Sequence, residues 1–82
     1  MSGIFLNDAQ DQFTVLIDYV GGSNPIYIGK AQSQVGNTTS AAVWQISKIT
    51  YDSNNNPTKI QWAGSSTDFN QIWDNRTSLT YT

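Results

Sequence analysis

The sequence predicts a mostly β fold, a small antiparallel β-sandwich or roll of five to six strands with one short helix before the last strand. Apolar and polar residues alternate in several short runs along the 82 residues, which is the pattern of half-buried strands. Clusters of Gly, Asn, Ser and Pro separate these runs, and those residues favour turns. A chain of this length is too short for two independent cores, so we expect a single β domain over residues 1–82.

The beginning of the chain, residues 1–12, is predicted to be an N-terminal arm or a first strand. Its only apolar cluster consists of Ile4, Phe5 and Leu6. This cluster is suited either to a strand or to docking against another protein. The three residues are therefore candidate partner contacts.

Two strands and a loop are predicted next. The odd-numbered residues of 13–19 are large and apolar and share one face of the first strand, by the period of two. A break at 21–25 separates it from a second short strand over 26–31. The polar stretch 32–40 should be a surface loop, longer than an ordinary hairpin connection. Loops of that length often make contacts, so Asn37 within it is a candidate partner contact.

A β-hairpin is the best-defined unit of the sequence. Residues 42–51 and 58–63 are its predicted arms, and the Asn-rich stretch 52–57 is the turn between them. The turn begins like a calcium-binding loop, but the sixth position lacks the required Gly and the twelfth lacks the bidentate Glu. A plain turn is therefore the better interpretation.

The two hairpin arms are expected to contribute to the core. Trp44 and Ile46 share a face of the first arm, and a bulge just before Ile49 would bring that residue to the same side. Ile60 and Trp62 are predicted to face inward from the second arm.

A short helix is predicted after the hairpin. Phe69, Ile72 and Trp73 have the i, i+3, i+4 spacing of one helical face, and Thr67 or Asp68 is placed to cap the first turn. The complete predicted core consists of Trp44, Ile46, Ile60, Trp62, Phe69, Ile72, Trp73 and Leu79.

The end of the chain carries two further candidate residues. Leu79 and Tyr81 alternate with polar residues and predict a closing strand, which either completes this sheet or adds to that of a neighbour. Tyr81 is therefore a candidate partner contact. Arg76 is the only arginine, and its planar guanidinium suits a fixed structural role. We expect it to tie the helix end to a strand or to a partner, with a plain surface charge as the alternative.

The composition argues against catalysis. The chain has no His and no Cys, which excludes triads built on those residues and the usual zinc sites. Asp68 with Asp74, and Asp8 with Asp11, are the remaining local carboxylate pairs, and both are better explained as caps, ion-pair partners or solvated charges. We therefore expect no enzyme, no cofactor and no metal.

Charge and hydropathy limit the partners. Four basic residues against six acidic ones give a net charge of −2, and scattered cations cannot form the basic stripe that binds phosphates. No stretch approaches membrane-spanning length. The sequence predicts no direct nucleic-acid contact and no membrane contact, and a small core without cysteines favours oligomerisation.

The three tryptophans have two interpretations. Trp44, Trp62 and Trp73 stand among apolar residues at core-like spacing, which favours a structural role. Flat rings among Asn and Gln side chains would alternatively form a sugar-binding face. The tyrosines are suited to half-buried contacts between subunits.

A family resemblance covers roughly the last two thirds of the chain. It is carried by Trp44-Gln45-Ile46 and above all by the C-terminal pattern Phe-x-x-Ile-Trp-Asp-Asn-Arg-x-Ser-Leu-x-Tyr, which begins at Phe69. These segments resemble small, mostly uncharacterised virion-associated proteins of tailed bacteriophages.

The resemblance implies a bacteriophage virion structural or accessory protein, located in the virion as capsid decoration or as a tail or neck component. Its partners would be other capsid or tail proteins, and it would act by protein–protein assembly as a homo-oligomer or in many copies. The alternative is a receptor- or carbohydrate-binding module of a phage tail fibre.

Overall fold

The computed structural model describes residues 12–32 and 38–82. Within them, five strands form one antiparallel sheet. The strands are β1 (Phe13–Asp18), β2 (Tyr27–Gln32), β3 (Ala42–Tyr51), β4 (Pro57–Trp62) and β5 (Gln71–Ile72). They lie side by side in the order β1-β2-β3-β4, and β5 pairs with the beginning of β3. The prediction of a mostly β, antiparallel fold is confirmed, and no second stacked sheet is present among these strands.

The strand register divides the sheet into two faces, because residues directly opposite each other point to the same side. Leu16, Gly29 and Ile46 form one cross-strand row. We name their side of the sheet the core face. The neighbouring row contains Ile17, Ile28, Ser47 and Trp62. We name that side the open face.

The C-terminal segment covers the core face. Trp73 begins a short 3-10 helix, Trp73–Asn75, and its ring lies 6.1 Å from the ring of Trp44, centroid to centroid. Gly29 permits this approach, because a Cβ atom there would lie 2.4 Å from Cε3 of Trp73. The buried apolar residues of the described chain are Ala31, Trp44, Ile46, Ala63 and Trp73.

The last residues close the sheet beside β4. Tyr81 forms a single β-bridge with Ala63, and the backbones of Trp62 and Thr82 exchange two hydrogen bonds of 3.1 and 3.2 Å. The ring of Tyr81 packs on that of Tyr27 across the core face, with centroids 5.7 Å apart. The chain end is thereby paired with its own sheet.

Two residues of the predicted core are exposed. Ile60 lies on the open face opposite Ile49, because β3 alternates regularly through that position. Trp62, which was also predicted to face inward, is half-buried and lies on the open face as well, opposite Ser47. The expected bulge before Ile49 is absent from the β3–β4 pairing, in which the register shifts later, between Thr50 and Tyr51. Phe69 is also exposed, since it lies in the loop before β5.

The predicted helix is shorter than expected and begins later. Its first turn does not form, because Gln71 and Ile72 pair with Trp44 and Ala42 of β3 instead. Pairing with a strand satisfies the same backbone groups that a first helical turn would have used. Only the single 3-10 turn at Trp73–Asn75 remains before the closing bridge.

Four candidate partner contacts lie outside the described residues. They are Ile4, Phe5, Leu6 and Asn37. In the part of the chain that is described, no helix is long and apolar enough to span a membrane.

Candidate functional site

The open face of the sheet exposes large apolar side chains on its two outer strands, β1 and β4. Val15 is 51 % exposed, Ile17 is 49 % exposed and Ile60 is 58 % exposed. Phe13, which lies on the same face of β1, is 37 % exposed. Monomeric proteins seldom leave neighbouring side chains of this size in water unless the surface binds something. This face is the first candidate functional site.

The small residues of β2 explain why this face stays open. Gly29 and Ala31 lie on the core face, where the ring of Trp73 packs directly over Gly29. The larger residues of β2, Ile28 and Lys30, fall on the open face by alternation. The C-terminal segment that carries Trp73 therefore packs on the face of β2 that has the small residues.

Charge on the open face is limited to one cation. Among the described strands, Lys30 is the one charged residue that the register places there. Its Nζ atom lies 4.4 Å from the centroid of the Phe13 ring, and the ring of Phe69 stacks on Phe13 with centroids 5.8 Å apart. The ring attracts the ammonium group through its quadrupole, so this contact needs no carboxylate partner.

The middle of the open face is lined by smaller or partly covered residues. Ser47 lies between Ile28 and Trp62 in one cross-strand row and is only 6 % exposed. Trp62 is half-buried. The most exposed apolar residues therefore lie on the two outer strands, β1 and β4.

A second candidate site is an open cleft at one end of the sheet. It has a volume of about 570 Å³ and lies between the β1–β2 turn and the β3–β4 turn. Tyr19 and Val20 line it from the first turn, Asn55 lines it from the second, and Tyr27 contributes from β2.

Carboxylates hold the backbone of both turns. Asp18 accepts a 2.9 Å hydrogen bond from the Val20 N–H, and this bond together with the Arg76 guanidinium holds the pKa of Asp18 below its usual value of 3.8. Asp52 accepts the N–H groups of Asn54 and Asn56 at 2.9 and 3.0 Å. The hydrogen bond from Asn56 is the main reason that the pKa of Asp52 is lowered as well.

Arg76 lies at the end of the 3-10 helix and reaches β1. Its Nε donates to Oδ2 of Asp18 at 2.8 Å, and its guanidinium lies 4.6 Å from the centroid of the Trp73 ring. The structure therefore places Arg76 in a contact within the chain, between the helix end and β1.

Tyr81 also makes its contacts within the chain. Its hydroxyl donates to the backbone oxygen of Arg76 at 2.7 Å, and its ring packs on Tyr27. Burial raises the pKa of Tyr81 to about 12. A partner contact at Tyr81 stays a prediction, with only part of the ring available for it.

The tryptophans are divided between the two faces. Trp44 and Trp73 are buried in the core, and the indole Nε1 of Trp44 donates to the backbone oxygen of Thr38. Neither ring is available to stack on a sugar. Trp62 lies on the open face and is half-buried.

Among residues 12–32 and 38–82, no three Asp, Glu, His or Cys side chains form a group that could hold a metal ion. The Asp52 carboxylate is already used by the backbone of its own turn. These contacts explain the aspartate at the start of the stretch that resembles a calcium loop.

The sequence reasoning did not identify either candidate site. Alternation shows that Val15 and Ile17 share a face, but it does not show which face is covered. The small residues Gly29 and Ala31 on one face of β2 are a signal for the covered side. The sequence does not show that Trp73 packs on them, because that contact depends on the fold. The cleft depends on two turns that are distant in the sequence.

Comparison with known proteins gives no relative. No family model matches the sequence, and neither curated proteins nor solved structures give a significant match.

Proposed function

We propose that the chain is a structural or accessory protein of a bacteriophage virion that binds another virion protein through the open face. The supporting observation is the exposure of Val15, Ile17 and Ile60 on one side of the sheet. The C-terminal segment resembles virion-associated phage proteins, and this resemblance supports a location in the virion. There the chain would act as a capsid decoration or as a tail or neck component.

Burial of the open face provides the free energy of binding. Apolar surface removed from water contributes about 25 cal/mol per Å², and a stable interface buries roughly 800 Å² on each partner. The four paired strands already hold this face in place, so little backbone conformational entropy is lost on docking. The function is therefore attachment.

Charge indicates the kind of partner. Lys30 brings one positive charge to the open face and no described strand brings a carboxylate there. Two copies meeting face to face would place two ammonium groups in the interface without a counter-charge, which is costly. An apolar surface of a different protein, with one carboxylate opposite Lys30, fits better. Many copies of the chain can then decorate one lattice without pairing with each other.

Incorporation into particles tests this proposal. A phage lacking the chain is complemented with Ile17→Lys, Ile60→Lys or the wild type, and the copies in purified particles are counted by quantitative mass spectrometry. Both side chains are exposed in the free chain, so the variants should fold, which circular dichroism checks. Burying an unpaired ammonium costs more than about 1.4 kcal/mol, so copy number should fall at least tenfold at limiting expression.

Ser53→Lys is the charge-matched control. Ser53 is exposed in the turn between β3 and β4 and belongs to no strand of the sheet. It should be incorporated as well as the wild type. Wild-type incorporation of both isoleucine variants, or absence of the wild-type chain from particles, would refute the proposal.

A further inference from the structure

The cleft between the two turns is lined by rings and neutral polar groups. Its lining residues are Tyr19, Val20, Gly22, Ser23, Asn24, Ile26, Tyr27 and Asn55. None of these residues is charged. Its volume of about 570 Å³ falls within the range of small-molecule sites, roughly 300–1,000 Å³.

Several hydroxyl groups of the lining have no hydrogen-bond partner among residues 12–32 and 38–82. The hydroxyl groups of Tyr19, Ser23 and Tyr27 make no hydrogen bond to any residue in the described part of the chain. Such groups are available to a ligand, whereas the hydroxyl groups of Tyr51 and Tyr81 are each bound to a backbone oxygen.

Two asparagines join the walls of the cleft. Nδ2 of Asn24 donates to Oδ1 of Asn55 at 3.3 Å, across the gap between the turns. This bond leaves Oδ1 of Asn24 as an acceptor and Nδ2 of Asn55 as a donor. The two side chains together present an adjacent acceptor and donor, the arrangement that a pair of neighbouring hydroxyl groups matches.

The rim of the cleft is held in a strained conformation. Val20 has φ +51° and Gly21 has φ +77°, and the N–H of Gly22 donates to the oxygen of Tyr19 at 3.0 Å. A β-branched residue at positive φ is a genuine outlier, and strain of this kind costs about 1–3 kcal/mol and clusters at ligand sites. The turn keeps Val20 59 % exposed and Tyr19 44 % exposed beside the cleft.

We propose that this cleft binds a neutral saccharide. The C–H face of a pyranose ring packs on an exposed aromatic ring, here Tyr19, while its hydroxyl groups bond to the free amide and hydroxyl groups. The uncharged lining favours neutral sugars over sialylated or phosphorylated ones, because an anion would find no cation in the cleft. The residues that line the cleft are different from those named on the open face. Saccharide binding therefore does not depend on the assembly function.

Titration followed by NMR tests the proposal. The full chain, labelled with ¹⁵N, is titrated with methyl glycosides of glucose, galactose, mannose, N-acetylglucosamine and rhamnose at tens of millimolar. Cyclohexanol, which has a six-membered ring and a single hydroxyl group, is the apolar comparator. We expect millimolar binding of at least one glycoside, with amide shifts confined to residues 19–27 and Asn55.

Two substitutions locate the binding groups. Tyr19→Ala removes the ring and should weaken binding roughly fivefold to tenfold, whereas Tyr19→Phe should retain most of it. Asn55→Gly removes the amide while suiting the φ of +65° at that position, and it should also weaken binding. Asn54→Ala is the matched control, since Asn54 lies in the same turn but outside the cleft.

Saccharide binding and attachment through the open face can be tested separately, because they use different residues. Ile60→Lys should leave glycoside binding unchanged. The proposal is overturned if no neutral glycoside shifts the cleft amides, if cyclohexanol shifts them equally, or if Tyr19→Ala binds as well as the wild type.

Discussion

Gly29 is the residue on which the core most directly depends. It lies in the middle of β2, and a Cβ atom there would lie 2.4 and 2.6 Å from two ring atoms of Trp73 and 3.3 Å from Trp44. Both rings are buried, so neither can move aside without disturbing the packing.

We predict that Gly29→Ala destabilises the fold by about 2 kcal/mol, as overpacking of a core does. Chemical denaturation followed by tryptophan fluorescence measures the change. Gly22→Ala is the control, because its Cβ would lie 3.5 Å from the nearest atom, an ordinary contact. Equal stability of Gly29→Ala and the wild type would show that Trp73 does not pack on β2.

The phenol of Tyr81 should make the fold less stable at alkaline pH. Burial raises its pKa from 10.0 to about 12, so between these values the unfolded chain loses the phenolic proton while the folded chain keeps it. The free energy of unfolding should therefore be highest below pH 10 and decrease as the pH rises towards 12.

Urea denaturation at a series of pH values measures this dependence, and it should be smaller in Tyr81→Phe, which has no proton to lose. An identical pH dependence in the two proteins would contradict the packing of Tyr81 on the core face.

The β1–β2 turn is the element in which sequence and conformation agree least. Both central residues have positive φ, which favours Asn-Gly, but the chain has Val20-Gly21. We predict that Val20→Asn stabilises the chain by about 1 kcal/mol, because it relieves the strain. Thermal unfolding measures it. Val15→Asn is the control, and it should destabilise, because Asn is unfavourable in a strand. A destabilised Val20→Asn would contradict the turn.

The bounds of the strands were largely predictable because they depend on local pattern. The first hairpin arm was predicted over 42–51, and β3 has those bounds, since Trp44 and Ile46 alternate cleanly and turn residues follow. The second strand was displaced by one residue. Its predicted range was 26–31, and β2 is Tyr27–Gln32.

Which side of each strand is covered was not predictable. Ile60 fits the core by its type and spacing, yet the register sends it to the open face. The predicted helix begins later than expected for the same reason, because Gln71 and Ile72 meet a partner strand that is distant in the sequence. Long-range pairing overrides local propensity in both cases. The structure therefore had to supply both candidate sites.

At the scale of the whole molecule, the described chain is a sheet covered on one side only. Trp73, Arg76 and Tyr81 lie over the core face, and the opposite face keeps its apolar residues in water. Small domains bury a low fraction of their surface and are marginally stable. A partner on the open face would supply the second layer that stable β domains usually have.

Site-specific photo-crosslinking in assembled particles shows whether a partner covers the open face. A benzophenone side chain is introduced at Ile60 on the open face, or at Ser53 in the exposed turn, and the cross-linked products are identified by mass spectrometry. We expect the probe at Ile60 to cross-link to one virion protein other than the chain itself, and the probe at Ser53 not to do so. Cross-links from Ser53 alone, or from neither position, would contradict it.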